Sequence, residues 1–350
     1  MPSQTDVVTF VNRYRILLLL ALVFLFMALF APRFLNMFNM TIIMKSASLN
    51  AMAAIGFTIV LICGHLDLSV SSTISLGAVL VIGFRPDLGW SGAIVAAVAA
   101  GGVVGLVNGL LVAKARIHSF IVTIGTLTIV QGIIYVYTGG AALNVTGALD
   151  FALADFLEDP ILLFFPPRVI ITILVIVGFE VFFLRTKPGR NFYMVGGNRE
   201  TAWLAGVKAD AYVIWAFIIS GCAAALSGAL FAIGISSATT DLGVNSLMII
   251  VAATIIGGAS MNGGKGQVLY SGIAVLMLTV LFNGLNRFGV GSEFRILASG
   301  VILASVVLYE AYSNYKKERI RGQRPELLKE LDPQQLKNVA SSLKTRKLQE

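Results

Sequence analysis

The chain has 350 residues, of which 57% are hydrophobic and 13% charged, with a net charge of +8. Soluble domains carry about a quarter charged residues, so composition excludes an ordinary soluble globule, and the short alternating segments of a β-barrel are absent. Cys63 and Cys222 both sit inside apolar runs and suggest neither a disulfide framework nor a metal site, and the basic charge, clustered beside apolar segments, reads as a topology signal rather than a nucleic-acid patch.

In chain order, residues 1–14 form a short polar N-terminus. The apolar run 15–31 has no small-x-small cleavage site, so it reads as a retained first span. Further spans are expected over 41–62, 68–84, 91–113 and 119–138. A loop over 139–167 follows, carrying Asp150, Asp155, Glu158 and Asp159. The next span covers 168–184 and leads into the longest loop between spans on the other side, 185–210. Spans over 211–235, 246–261, 268–285 and 294–311 complete the set, and 312–350 is a charged tail holding Pro325 and Pro333, expected to be partly ordered at best. The pattern predicts an all-α polytopic membrane protein of about ten transmembrane helices. Several spans are short and interrupted by Gly or Ser, so broken or re-entrant helices are expected within the membrane domain, 15–311.

Lysine and arginine fix the expected orientation. With the N-terminus inside, the inner segments hold Arg13, Arg15, Lys114, Arg116, Arg185, Lys187, Arg190, Arg199, Lys208 and Lys265, besides the basic tail. The outer segments hold fewer: Arg33, Arg85, Arg168, Arg287 and Arg295. Lys45 lies near the outer end of the second span, where it could snorkel. The expectation is a multi-pass protein of the bacterial cytoplasmic membrane with both termini cytoplasmic.

The hexapeptide "DLSVSS" at 67–72 returns as "DLGVNS" at 241–246, and "NGL" at 108–110 returns at 283–285 at nearly the same offset. The matches align spans two to five with spans seven to ten, giving a five-plus-five arrangement. Because five is odd, the second half enters from the opposite side, which is the inverted repeat of transporters. Asp67 and Asp241 suit helix N-caps within the membrane, where each unmet backbone group is costly. Their neighbours Ser69, Ser71, Ser72, Asn245 and Ser246 are candidates to line a polar pathway.

Four segments resemble a known group. "GHLDLSVSSTISLGAVL" (64–80), "SFIVTIGTL" (119–127), "GRNFYMVGGNRETAWLAGV" (189–207) and "IIGGASMNGGKGQV" (255–268) are similar, in order, to motifs of the permease subunits of ribose/xylose/arabinose-type ATP-binding-cassette sugar importers. The pattern departs at His65, Ser71, Arg199 and Trp203. The resemblance implies an importer core made of two permease subunits, identical or mixed, with a cytosolic ABC ATPase and an extracytoplasmic solute-binding protein. The solute would be a pentose, hexose, inositol or autoinducer-type furanose. No cofactor is then bound directly, ATP and Mg being used by the partner ATPase, and the remaining partner is membrane lipid, with no nucleic acid.

The residues fit a transport subunit rather than an enzyme. "ASMNGGKG" (259–266) fails as a P-loop at Ala259 and Gly266. In the loop 189–207, Asn198 can cap a short helix over 199–205 that Gly206 ends. Ala202, Trp203 and Leu204 would offer it apolar contact, and Arg199 and Glu200 rim charges. Arg190, Gly197, Asn198, Arg199, Glu200, Ala202, Trp203, Leu204 and Gly206 are therefore the expected ATPase-coupling set. Asn50, Asn108, Thr123, Thr126, Gln131 and Asn283 join the hexapeptide residues as candidates for a sugar pathway. Competing readings are a permease for nucleosides or branched-chain amino acids, an ion-coupled secondary transporter, and an intramembrane enzyme using His65 and Asp67.

Overall fold

A computed structural model describes residues 4–145 and 151–329, so Asp150 and the end of the tail lie outside the described residues. The elements are α1 (Gln4–Phe30), α2 (Met37–Ile62), α3 (Val70–Ala113), α4 (Ser119–Thr138), β1 (Leu143–Asn144), α5 (Ala152–Glu158), α6 (Pro167–Arg185) and α7 (Lys187–Gly197), followed by α8 (Arg199–Leu204), α9 (Ala209–Ile235), β2 (Ser237–Ala238), α10 (Val244–Ile256), α11 (Val268–Arg287) and α12 (Ser292–Lys329). Among the described residues, 7 helices are long and apolar enough to cross a membrane. Tyr14–Phe30 and Val244–Ile256 are shorter apolar helices. The chain is an all-α polytopic membrane protein. It divides into two units, one ending at Leu303 and the other beginning at Ala304.

Several boundaries differ from the sequence reading. The spans expected over 68–84 and 91–113 are the two helical stretches of α3, which is broken between them at Gly89, whose φ of 64° and ψ of 175° leave the helical region. Pro86 lies just before that break, where its missing N–H and ring disfavour an uninterrupted helix. The span expected over 246–261 stops at Ile256 because Gly257 and Gly258 turn the chain. The stretch 185–210, expected as a loop with one helix, holds both α7 and α8. The stretch 139–167 holds β1 and α5, and β1 pairs antiparallel with β2. Past residue 312 the chain continues as helix to Lys329.

The core is the packing of α3 on α9, with α2 on the same helix and α11 against α2. Small residues let these backbones approach, which is how membrane helices associate without a hydrophobic driving force. An added Cβ at Gly101 would stand 2.3 Å from the Gly221 carbonyl oxygen, and one at Gly221 would stand 2.0 Å from that of Gly101. Gly77 meets Ala225 and Gly56 meets Ser220 in the same way. The segment over 101–105 therefore serves close helix packing.

Lys45, expected to snorkel, is instead held in an ion pair with Glu158 at 2.6 Å, and Arg168 approaches the same carboxylate at 2.7 Å. One residue of α5 thereby ties α2 and α6 together. This cluster and the β1–β2 pair lie at the end of the helices opposite α7 and α8.

Candidate functional site

The first hexapeptide lies in the break between α2 and α3, and its polar atoms are used within the chain. Asp67 is 1% exposed. Its carboxylate accepts from the Ser69 N–H at 3.1 Å, the Ser69 hydroxyl at 2.5 Å and the Ser220 hydroxyl at 2.7 Å. Asn108 donates its amide to Ser69 Oγ at 2.9 Å, and Thr126 donates to Asn108 Oδ1 at 2.6 Å. One connected network thus joins the break, α3, α4 and α9. Satisfied networks of this kind rigidify a structure and specify its packing.

The capping expectation needs correction. The N-cap positions are Ser69 for α3 and Gly243 for α10, and neither makes a side-chain cap bond. Asp67 instead holds the N–H of Ser69 itself, the Asx-turn geometry of a carboxylate bonding two residues on. Asp241 is exposed, and its backbone carbonyl, not its carboxylate, accepts from the Val244 N–H.

The two hexapeptides meet. The Gly243 N–H donates to Ser75 Oγ at 3.0 Å, and a Cβ on Gly243 would lie 1.9 Å from the Ser71 carbonyl oxygen. The second copy needs its glycine for that approach, where the first has Ser69. Gln131 of α4 donates to the Thr240 carbonyl at 2.8 Å, bracing the same place.

Among the expected pathway residues, Ser69, Ser71, Ser72, Asn108, Thr123 and Ser246 are buried within the chain. Thr123 returns its hydroxyl to the Ser119 carbonyl. Thr126 and Gln131 are partly exposed but engaged as described. Asn283 exchanges hydrogen bonds with Asn39 at 3.0 Å, a site that Arg287 also joins. Asn50 is 6% exposed and its Oδ1 has no hydrogen-bond partner among the described residues. Asn245 alone of the set is open, beside exposed Val244 and Met248.

At the basic end, three glycine-bearing segments converge backbone to backbone. The Gly264 N–H donates to the Ile62 carbonyl at 2.8 Å. A Cβ at Gly196 would stand 1.7 Å from that same carbonyl oxygen, and one at Gly263, where φ is +78°, 2.5 Å from the Gly196 carbonyl. Tyr193 donates its hydroxyl to the Gly266 carbonyl at 2.9 Å. These glycines are consumed by close packing among the "GHLD", "GGN" and "GGKG" stretches. His65, in the break beside them, packs its ring 6.2 Å from that of Phe217. Burial first, then Arg199 and His118, pull its imidazole down to about 4.

The helix expected over 199–205 is α8. Asn198 Oδ1 accepts from the Thr201 N–H at 2.8 Å, and Gly206, at φ +77°, closes the far end as Val207 N–H reaches the Ala202 carbonyl. Trp203 and Leu204 are 72% and 74% exposed. Ala202, expected beside them as a contact, is fully buried and faces the chain's own core. Arg199, partly exposed, pairs with Asp210 of the same chain and reaches the Ala113 carbonyl at 3.5 Å. Glu200 and Arg190 are exposed, and Gly197 packs on Gly264. The short helix is thus pinned to the ends of α3 and α9 and presents two large apolar side chains outward.

Sequence reasoning missed Ser220, Asn39 and α7. The start of α7 was legible: Thr186 accepts from the Gly189 N–H at 3.1 Å, and Pro188 sits in the first turn, a standard helix-start pattern. Nothing local marks Ser220 or Asn39, whose partners lie far away in sequence.

A family model described as "Branched-chain amino acid transport system / permease component" matches residues 39–308. The chain is 31% identical over 281 residues to the ribose import permease protein RbsC of Escherichia coli (strain K12), covering 80% of this chain and 88% of that relative. It is 30% identical to the L-arabinose transport system permease protein AraH of the same strain, covering 88% of this chain and 93% of the relative. It is likewise 30% identical to the autoinducer 2 import system permease protein LsrC of Escherichia coli (strain K12 / DH10B), covering 88% and 90%. No solved structure matches the chain.

Proposed function

Because the chain belongs to the permease family whose model spans residues 39–308, we propose that it is the membrane-spanning subunit of an ATP-driven, binding-protein-dependent importer of a sugar or sugar-like solute. The observation that carries this reading is identity near 30%, across most of both chains, to permeases named for ribose, arabinose and autoinducer 2. The solute class is then a pentose, hexose, inositol or related furanose.

The domain forms ten spans in two inverted halves of five, within residues 15–311, flanked by cytoplasmic segments 1–14 and 312–350. Support comes from the break in α3 at Gly89 and from the two short apolar helices. Counting α3 as two and adding those helices gives the ten. The meeting of the hexapeptides at Gly243 and Ser71 suits an interface between halves, where inverted-repeat transporters place their path. Most polar side chains of that seam bond one another, so the path follows the face left open by Asn245, Val244 and Met248, completed by a second permease subunit.

ATP hydrolysis, with its Mg, takes place on a separate cytosolic ATPase, and an extracytoplasmic binding protein delivers the solute. The basic end faces the cytoplasm of a bacterial inner membrane, in keeping with the positive-inside bias. There α8 is the coupling element. Trp203 and Leu204 insert into the ATPase, and the ties from Arg199 to Asp210 and Ala113 pass its rigid-body motion to α9 and α3.

The test is uptake into proteoliposomes holding the chain, its ATPase and its binding protein, with labelled ribose, arabinose and leucine. Sugar uptake that requires ATP is expected. Leucine uptake without sugar uptake would favour the amino-acid reading that the family description suggests, and uptake by the chain alone along an ion gradient would overturn the importer. Leu204→Asp should abolish transport and ATPase stimulation while leaving membrane insertion intact, and unchanged transport would remove the coupling assignment.

A further inference from the structure

A cavity of about 920 Å³ lies beside α7, between the end of α6 and the start of α9. Its wall combines two chemistries. Lys187, Arg190 and Lys208 supply positive charge, and among the described residues no acidic side chain lines it. Phe182, Trp215 and Ile219 supply an apolar floor, and these three belong to the membrane-crossing helices α6 and α9. Asp210, the nearest acid in sequence, is turned to Arg199 and Arg116 and does not neutralise the three cations.

We propose that this cavity binds the headgroup and upper acyl chain of an anionic phospholipid from the leaflet on the basic side. A soluble phosphate would need only the cations. The apolar floor, continuous with two spanning helices, calls for a ligand with a hydrocarbon part. Trp215, exposed in the second turn of α9, sits where interfacial aromatic residues sit at headgroup level. Basic pockets between transmembrane helices on that side of a membrane are suited to anionic headgroups. One further donor is in place: Tyr212 accepts from the Asn191 amide at 2.7 Å, which leaves its own hydroxyl proton free for a phosphate oxygen.

The site has a consequence for the transport cycle. Ala205, Gly206 and Val207, which join α8 to α9, also line the cavity. An occupying lipid would brace the connection through which α8 acts on α9. This inference rests on the multi-pass membrane reading and is independent of which solute is carried.

The experiment uses the full chain with Trp90→Phe and Trp203→Phe, leaving Trp215 as the one fluorophore of the three tryptophans. The protein is reconstituted in phosphatidylcholine vesicles containing a minor fraction of phosphatidylglycerol, with bromine placed on the acyl chains of one lipid or the other. Brominated phosphatidylglycerol should quench Trp215 well beyond its share of the bilayer. Lys187→Gln, Arg190→Gln and Lys208→Gln should each lower that preference, roughly five-fold per cation removed, whereas the triple Lys187→Arg, Arg190→Lys, Lys208→Arg variant should retain it. Equal quenching by the two lipids, or a preference indifferent to the Gln variants, would overturn the proposal. Loss of the preference on adding inorganic phosphate would assign the cavity to a soluble anion, and its loss on binding the ATPase subunit would assign it to that protein contact.

Discussion

Replacing Gly105 by Ala perturbs the principal helix crossing at one point. A Cβ there would stand 2.1 Å from the Phe217 carbonyl oxygen and 2.8 Å from the Ile218 Cα. Ordinary contact begins at 3.4 Å, so α3 and α9 must part locally by roughly 1 Å, forfeiting dispersion contacts on both sides. Overpacking of this kind costs about 1–3 kcal/mol, and the upper part of that range applies because the obstacle is backbone on a helix that meets α3 again at Gly221. Against it stands the better helix propensity of Ala over Gly, about 1 kcal/mol, leaving a net loss of about 1–2 kcal/mol. Gly132→Ala is the control, since nothing among the described residues lies within 4 Å of its added Cβ and only the propensity gain applies. Thermal unfolding of both variants in one detergent reads the difference, with the Gly105→Ala midpoint below wild type and the Gly132→Ala midpoint at or above it. A Gly105→Ala protein as stable as Gly132→Ala would refute the close-packing account of this crossing.

Three further outcomes are expected. Glu158→Ala strips the partner from Lys45 and from Arg168, whose side chain is 3% exposed, and should cost about 3–5 kcal/mol in denaturant unfolding; a loss below about 1 kcal/mol would mark these as ordinary surface pairs. Asn198→Ala removes the cap on Thr201 and should destabilise α8 by about 1 kcal/mol, seen as faster amide exchange over 199–204 with α9 unchanged. His65 sits in the break outside the spans with its pKa lowered from 6.5 to about 4. A lowered pKa favours the neutral form of the fold, so its stability contribution is present above pH 6.5 and lost as pH falls toward 4, on the order of 2–3 kcal/mol allowing for residual solvent contact. Wild type should lose midpoint temperature over that range more steeply than His65→Gln; parallel curves would remove His65 from the acid response.

Sequence alone determined the class of this protein. The apolar run lengths dictate crossing helices because hydrocarbon leaves backbone groups no partner outside the helix, and the helix over 199–204 was legible from Asn198 and Gly206, since capping is a local rule. What it could not decide is which polar groups stay free. Ser69, Asn108 and Thr126 read as lining candidates, yet folding binds them to Asp67 and to one another, while Asn245 stays open. Ala202 and Trp203 are adjacent and apolar, and only the packing of α8 turns one inward and the other out. The break at Gly89 was legible in the gap left between the spans 68–84 and 91–113, because Arg85, Pro86 and Asp87 interrupt the apolar run just before it. Residue type fixes what a side chain can bond. Which partner it meets depends on contacts between segments far apart in the chain, such as Asp67 with Ser220 or Gly243 with Ser75, and those exist only once the helices have packed.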